Sequence, residues 1–290
     1  MLPIIFIHNR NSSYLPISLW KARQSNPDSE IYLIGDVQNA HFGAIVSHVY
    51  QSRFFKKANE FAKKFKNFSS NPHHFELICL QRWMVLEEFM KAKNISSCLY
   101  IDSDVLLFDD IQSDARRFSD FGMTVAGISG HTNFVNGLTT LPAFCGYIEN
   151  SYTDENSIDI LSQKYLKFKE THTAGGISDM TMFTEFREAN PGKVLDIAEP
   201  LAAKIFDITI TYTKGVRSEN GIKKIEWKAG IPFAETTENE KVELRSLHFQ
   251  GESKSMMKSM AQINSLTFNA IYQINLVYLF GQKVWNRIFR

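Results

Sequence analysis

With 290 residues, the chain can form one large domain or two small ones. A 44% hydrophobic share beside 22% charged residues excludes a disordered or fibrous class, and a formal net charge of +1 excludes a general attraction for nucleic acid. Cys79, Cys98 and Cys145 form an odd set without CxxC spacing, the pattern of reduced thiols in a cytoplasmic protein rather than of a disulfide framework.

Residues 2–7 form an apolar stretch with no basic region before it. It is too short for a signal peptide or a membrane span, so it reads as a first buried strand of a cytoplasmic chain. Strands over 3–7 and 30–34 enclose a helix over 15–24, the opening of an α/β domain with a parallel sheet. Helices follow over 53–68 and 75–93. The first carries Phe54, Phe55, Phe61, Phe65 and Phe68 along one face and lysines mostly elsewhere. It suits a core helix with a solvated basic face or a helix lying on an anionic membrane, and the core reading is favoured. Residues 97–101 form a strand that is apolar beyond its first two positions and belongs at the sheet centre. Asp102-Ser103-Asp104 follows directly, where open α/β sheets bind ligands.

Further strands are expected over 123–128 and 134–141, and a helix over 159–170. A Gly-Gly-Ile-Ser turn at 175–178 leads into a helix over 179–189, capped by Ser178 or Asp179. Alternating residues over 205–233 suggest an antiparallel addition to the sheet. A strand over 242–247 runs into His248-Phe249-Gln250-Gly251-Glu252-Ser253-Lys254, and the tail from 266 to 290 reads as one more helix. No repeat or long linker divides the chain. The simplest organisation is an α/β domain over 1–260 with a mostly parallel central sheet, and an amphipathic helical tail over 261–290.

Two carboxylates after a buried strand and a histidine after another can hold one hard divalent ion. Buried strands seldom end in carboxylates that have no use. Gly251 permits close backbone approach to an oxyanion, and Lys254 is a compact cation for phosphate. Together they suit a metal-chelated nucleoside diphosphate, although a surface acidic pair and a surface lysine are the plain alternatives. Near the first strands' ends stand His8, Asn9, Arg10 and Asp36. Asp36 could accept from a base or ribose, or simply make the turn after Gly35.

LYIDSD followed by HFQGESK resembles the DxD and HxxGxxK motifs of the retaining glycosyltransferases of family eight. The resemblance implies the GT-A fold, a nucleotide-sugar donor (a UDP-sugar first), and Mn²⁺ or Mg²⁺ held by Asp102, Asp104 and His248. It further implies Gly251 and Lys254 on the diphosphate, Arg82 reaching the donor, and Asp179 near the transferred sugar. Phe134-Val135-Asn136-Gly137 resembles the family's FNxG segment in altered form, which makes Asn136 a candidate on the acceptor side. Met180 stands where the family has glutamine, and Ser255 where it has proline. The acceptor implied is a glycan or a lipid-linked saccharide, and the polysaccharide-building character of the family is carried over by analogy alone.

Two other classes remain. A phosphatase of the haloacid dehalogenase type would use Asp102 as nucleophile, but it leaves HFQGESK unexplained and has Leu106 where that class has Thr or Val. A non-catalytic nucleotide-sugar or glycan-binding module would keep the site without turnover. The tail mixes large apolar residues with Lys283, Arg287 and Arg290. Asn269, Gln273 and Asn275 interrupt it, which argues against a span and leaves peripheral membrane contact or docking onto the domain.

Overall fold

The computed structural model describes residues 1–199 and 203–288, with side chains as far as residue 282. Its centre is made by segments apolar on both faces. Strands β1 (Ile4–Ile7), β2 (Ile31–Gly35), β3 (Ser47–Tyr50) and β4 (Ser97–Ile101) pair in parallel in the order β3-β2-β1-β4. Ile4, Ile5 and Phe6 and all five residues of β2 are buried, as parallel strands covered on both faces require. After β5 (Val105–Leu107) and β6 (Met123–Val125), strand β7 (Thr132–Asn136) closes this sheet antiparallel to β4.

The helices α1 (Leu15–Ser25), α2 (Lys56–Ala62), α3 (His73–Ala92), α4 (Gln112–Arg117), α5 (Thr140–Ser151), α6 (Glu155–Thr171) and α7 (Asp179–Ala189) accompany the strands. Between α3, α5, α7 and β4 lies an aromatic core. Trp83 is fully buried and packs on Tyr100 at 4.9 Å, Phe183 at 4.8 Å and Phe144 at 5.9 Å between ring centroids. Truncating such a ring costs about 3–5 kcal/mol.

A second sheet grows from β5. After β8 (Val194–Asp196), which pairs with β6, come β9 (Lys204–Phe206), β10 (Ser218–Glu219), β11 (Ile222–Lys223), β12 (Ile225–Lys228), β13 (Ile231–Glu235) and β14 (Lys241–His248). The order is β12-β13-β14-β5, antiparallel throughout, with β9 alongside β14 in parallel. The expected β-rich addition over 205–233 is therefore present, and it reaches the site through β14.

Two expected elements are corrected. The strand expected over 134–141 starts at Thr132 and ends at Asn136, and the chain enters α5 at Thr140. The helix expected over 53–68 is regular only over Lys56–Ala62, preceded by a short 3₁₀ turn. Residues 68–70 instead bond to another segment: Phe68 O accepts from the amide of Ile177, and the amide of Ser70 donates to Gly175 O. Ala58 and Phe61 are sealed in the core, so the core reading of this segment is the one observed.

After the short α8 (Met257–Met260), the tail helix α9 (Leu266–Ile288) packs through Phe268 and Ile271. It is further held by Asn275, which is fully buried, accepts from Asn11 Nδ2 at 2.7 Å and donates to Ser12 O at 3.0 Å. Its other side leaves Ile274, Val277 and Phe280 more than half exposed. Among the described residues no helix is long and apolar enough to cross a membrane. Arg290 and the side chains of Lys283 and Arg287 lie outside the described residues.

Candidate active site

Two strand exits meet at one cleft because of register. Strand β4 delivers Asp102-Ser103-Asp104, and the chain turns at once into β5. Strand β5 pairs with the end of β14, Val105 opposite His248, and the amide of Phe249 donates to Asp104 O at 2.9 Å. The two motifs distant in sequence are thus joined by one ladder. From the end of β1, the His8 ring meets Ser103 Oγ at 2.7 Å. A cleft of about 680 Å³ opens here. Its lining includes His8, Asn9, Arg82, Asp102, Asp104, Asp179, His248, Gly251 and Lys254.

The two aspartates of the DxD triplet have different partners. The Asp102 carboxylate accepts from Arg82 Nη1 at 2.6 and 2.8 Å and from the Tyr100 hydroxyl at 2.5 Å. Burial pushes the Asp102 carboxyl up, but the Arg82 guanidinium and the Tyr100 hydroxyl outweigh it and bring its pKa down to about 2. Arg82 Nη2 also donates to Asp179 Oδ2 at 2.5 Å, so one buried guanidinium bridges both carboxylates. Asp179 is the first residue of α7. Ser178 caps that helix, taking the amide of Met180 at 3.2 Å in a reciprocal box with Thr181.

Asp104 turns the other way. Its Oδ2 pairs with Lys254 Nζ at 3.0 Å, while its Oδ1 is buried, hydrogen-bonds to nothing and faces His248 Nε2 at 3.7 Å. Burial works against the charge on Lys254, but Asp104, with Tyr14 and Asp102 behind it, holds its pKa above the ordinary lysine value. Gly251 opens the 3₁₀ turn that carries Lys254. Its φ is +61°, a left-handed conformation that glycine adopts without a Cβ penalty, and open space lies before its α-carbon.

The chemistry of this donor set fits a cation. His248 Nδ1 lies 2.6 Å from Ile208 O, and a carbonyl only accepts, so the ring proton sits on Nδ1. In the neutral ring Nε2 is then a bare acceptor facing an unpaired carboxylate oxygen, and two acceptors facing each other call for a positive charge between them. Asp102 was expected to complete a three-ligand set with Asp104 and His248. Among the described residues no three His, Cys, Asp or Glu side chains are grouped to hold an ion, and in this arrangement the Asp102 carboxylate accepts from Arg82 and Tyr100.

Two expected site residues, Asn136 and Asp36, do not line this cleft. Asn136 pairs with Ser97, the first residue of β4, so it lies at the opposite end of the sheet from Asp102. Its amide ties down the carbonyls of Phe118 and Phe121. Asp36 accepts from the backbone amides of Arg10 at 2.6 Å and Gln38 at 2.8 Å, which makes it a turn-forming residue outside the cleft lining. Tyr100 was missed, although period-two alternation along a strand puts it on the face of Asp102. His131 was missed too: it is fully buried, stacks on His248 at 3.8 Å, and has no motif around it.

No protein-family model matches the sequence, and a comparison with curated sequences finds no match. Among solved structures, similarity extends to the galactosyltransferase LgtC in complex with donor and acceptor sugar analogs (TM-score 0.47, 11% identity, 93% of this chain and 99% of that one). Mouse xyloside xylosyltransferase 1 in its apo form is similar over 67% of this chain and 83% of its own, with TM-score 0.47 and 10% identity. The glycosyltransferase GlyE of Streptococcus pneumoniae is similar over 98% of this chain and 64% of its own, with TM-score 0.42 and 11% identity.

Proposed function

We propose that this chain is a metal-dependent glycosyltransferase with a GT-A-like catalytic domain over 1–260, moving a sugar from a nucleotide-sugar, in the first instance a UDP-sugar, to a hydroxyl acceptor. The observation that carries the reading is the pair Asp104 and His248, two acceptors facing each other beside Lys254 and the open backbone at Gly251. Asp104 and His248 would hold Mn²⁺ or Mg²⁺, which supplies Lewis-acid neutralisation of the diphosphate. Lys254, now on Asp104, has its ammonium placed for phosphate oxygens, and Gly251 admits the diphosphate close to the backbone. Asn9, which lines the cleft at the end of β1, would contact the donor nucleotide.

Arg82 bridges the carboxylates of Asp102 and Asp179. Asp179 Oδ2 already accepts from Arg82 and, at 3.4 Å, from Trp83 Nε1. With Oδ2 already taken up by these two donors, Asp179 suits a carboxylate that steadies or orients the sugar better than a general base for the acceptor. That assignment favours transfer with retention. The acceptor side belongs to a glycan or lipid-linked saccharide, and the exposed Ile274, Val277 and Phe280 of the uncharged stretch of α9 give the tail a surface for peripheral membrane contact.

A panel of UDP-, GDP- and CMP-sugars with Mn²⁺ or with EDTA tests the reading by nucleotide release. Metal-dependent release from one nucleotide class is expected. Phosphate release from simple phosphoesters, with every sugar nucleotide inert, would assign the DxD triplet to a phosphatase. Tight donor binding without transfer or hydrolysis would assign a binding module.

A further inference from the structure

Behind His248 lies a polar cluster that the proposed reaction does not use. Asp207, which follows β9, is fully buried, and Lys223 of β11 is 6% exposed. Their side chains form an ion pair, and Lys223 Nζ also donates to Thr209 O at 3.0 Å. The other carboxylate oxygen of Asp207 accepts the backbone amide of His248 at 3.1 Å. Asp207 O accepts from His131 Nε2 at 2.9 Å, and the next carbonyl, Ile208 O, takes the Nδ1 proton of His248. His131 lies flat on His248, the ring planes 17° apart, and the His131 carbonyl accepts the amide of Asp102 at 2.8 Å.

These contacts give one bend, residues 207–209, control of a histidine's tautomer and orientation. Backbone bonds also anchor the bend, from the Asp207 amide to Ser246 Oγ at 3.3 Å and from the Ile210 amide to His248 O at 2.9 Å, and the Asp207 carboxylate adds Lys223 on one side and the His248 amide on the other. A lysine and an aspartate sealed from water are costly to bury unless each is fully partnered, so the pair is stable only with the bend in this conformation.

We propose that Asp207, Lys223 and His131 are positioning residues for His248: together they hold the Ile208 carbonyl on Nδ1, leaving Nε2 bare and aimed at Asp104. The proposal rests on reading His248 and Asp104 as cation ligands, but its first consequence, the tautomer, exists without any cation. Metal-binding histidines are held in this manner through their second nitrogen, and loss of such support costs ~10–100-fold in metal affinity.

The test uses the full chain and the double substitution D207N/K223M, which removes both charges at nearly constant volume. Replacing a buried pair as a unit often leaves stability near its original value. Long-range ¹H–¹⁵N correlation on the metal-free protein reads the His248 ring, and Mn²⁺ alone, titrated by electron paramagnetic resonance, reads affinity. The Nδ1–H tautomer is expected to give way to a mixture with Nε2–H, and Mn²⁺ affinity to fall by about 10–100-fold. A folded variant that keeps the wild-type tautomer and binds Mn²⁺ within about twofold of wild type overturns the proposal. If the double variant does not fold, H131F takes its place with the same readouts, since it keeps the stacked ring and loses only the bond to Asp207 O. Wild-type protein that binds no Mn²⁺, alongside a shifted tautomer in the variant, would sink the cation reading and leave the positioning role standing.

Discussion

Replacing Arg82 by methionine removes the cation that binds both the Asp102 and the Asp179 carboxylates. The side chains of Arg82, Asp102 and Asp179 are 14%, 20% and 6% exposed, so water replaces the guanidinium only in part. Lowering the Asp102 pKa from 3.8 to about 2 is worth roughly 2 kcal/mol at ~1.4 kcal/mol per unit, shared between Arg82 and Tyr100. Asp179 keeps only the longer bond from Trp83. Breaking a buried pair on one side costs about 3–5 kcal/mol, and R82M should fall in that range at pH 7 by urea unfolding. The sign of the pH dependence follows from the direction of the shift. A carboxyl lowered on folding stabilises fully above its unfolded value near 4, and that contribution disappears as pH falls through about 2. The difference between R82M and wild type should therefore narrow between pH 4 and pH 2. A cost below about 1 kcal/mol at pH 7, or one that does not change over that interval, would refute the bridge.

Burial lowers the pKa of His8 to about 4, opposed by Asp36 and assisted by Lys254. The folded state therefore holds a neutral ring, and stability should fall by roughly 2–3 kcal/mol as pH drops from about 6.5 to 4; equal acid sensitivity of H8Q and wild type in urea melts would contradict this. Asn275→Leu strands the Asn11 amide and the Ser12 carbonyl. We expect a loss of about 2 kcal/mol together with weaker nucleotide binding, because residues 8–14 border the cleft; unchanged UDP affinity by calorimetry would uncouple α9 from it. Asn136→Ala should lower the melting temperature and leave Mn²⁺ and UDP affinity at wild-type values, whereas a selective loss of binding would return Asn136 to the site.

Much of the site could be read locally. A strand apolar beyond its first two positions that runs into Asp102 and Asp104, a serine one residue before Asp179, and a strand running into His248 each announce themselves within ten residues. What could not be read was how these pieces face one another. Asp104 meets His248 because β5 and β14 share a ladder, and the alternating pattern of β14 does not name its partner. The distance of Asn136 from the cleft could not be read, because motif likeness carries no strand direction: β7 runs against β4, which carries its last residue away from the cleft. The ion pair of Asp102 with Arg82 could not be read either, because Arg82 comes from α3 and answers to electrostatics rather than to any sequence interval. The helix over 53–68 ended early because residues 68–70 find their hydrogen bonds at Gly175 and Ile177, a tertiary claim invisible to periodicity.

The central claim is that Asp104 and His248 share a cation next to a diphosphate held by Gly251 and Lys254. Crystals grown with UDP and Mn²⁺, with anomalous differences collected at the manganese edge, test it most directly. The account predicts one manganese peak at Asp104 and His248, with diphosphate density reaching Lys254. Manganese or diphosphate bound elsewhere, with these two side chains still facing each other empty, would contradict it.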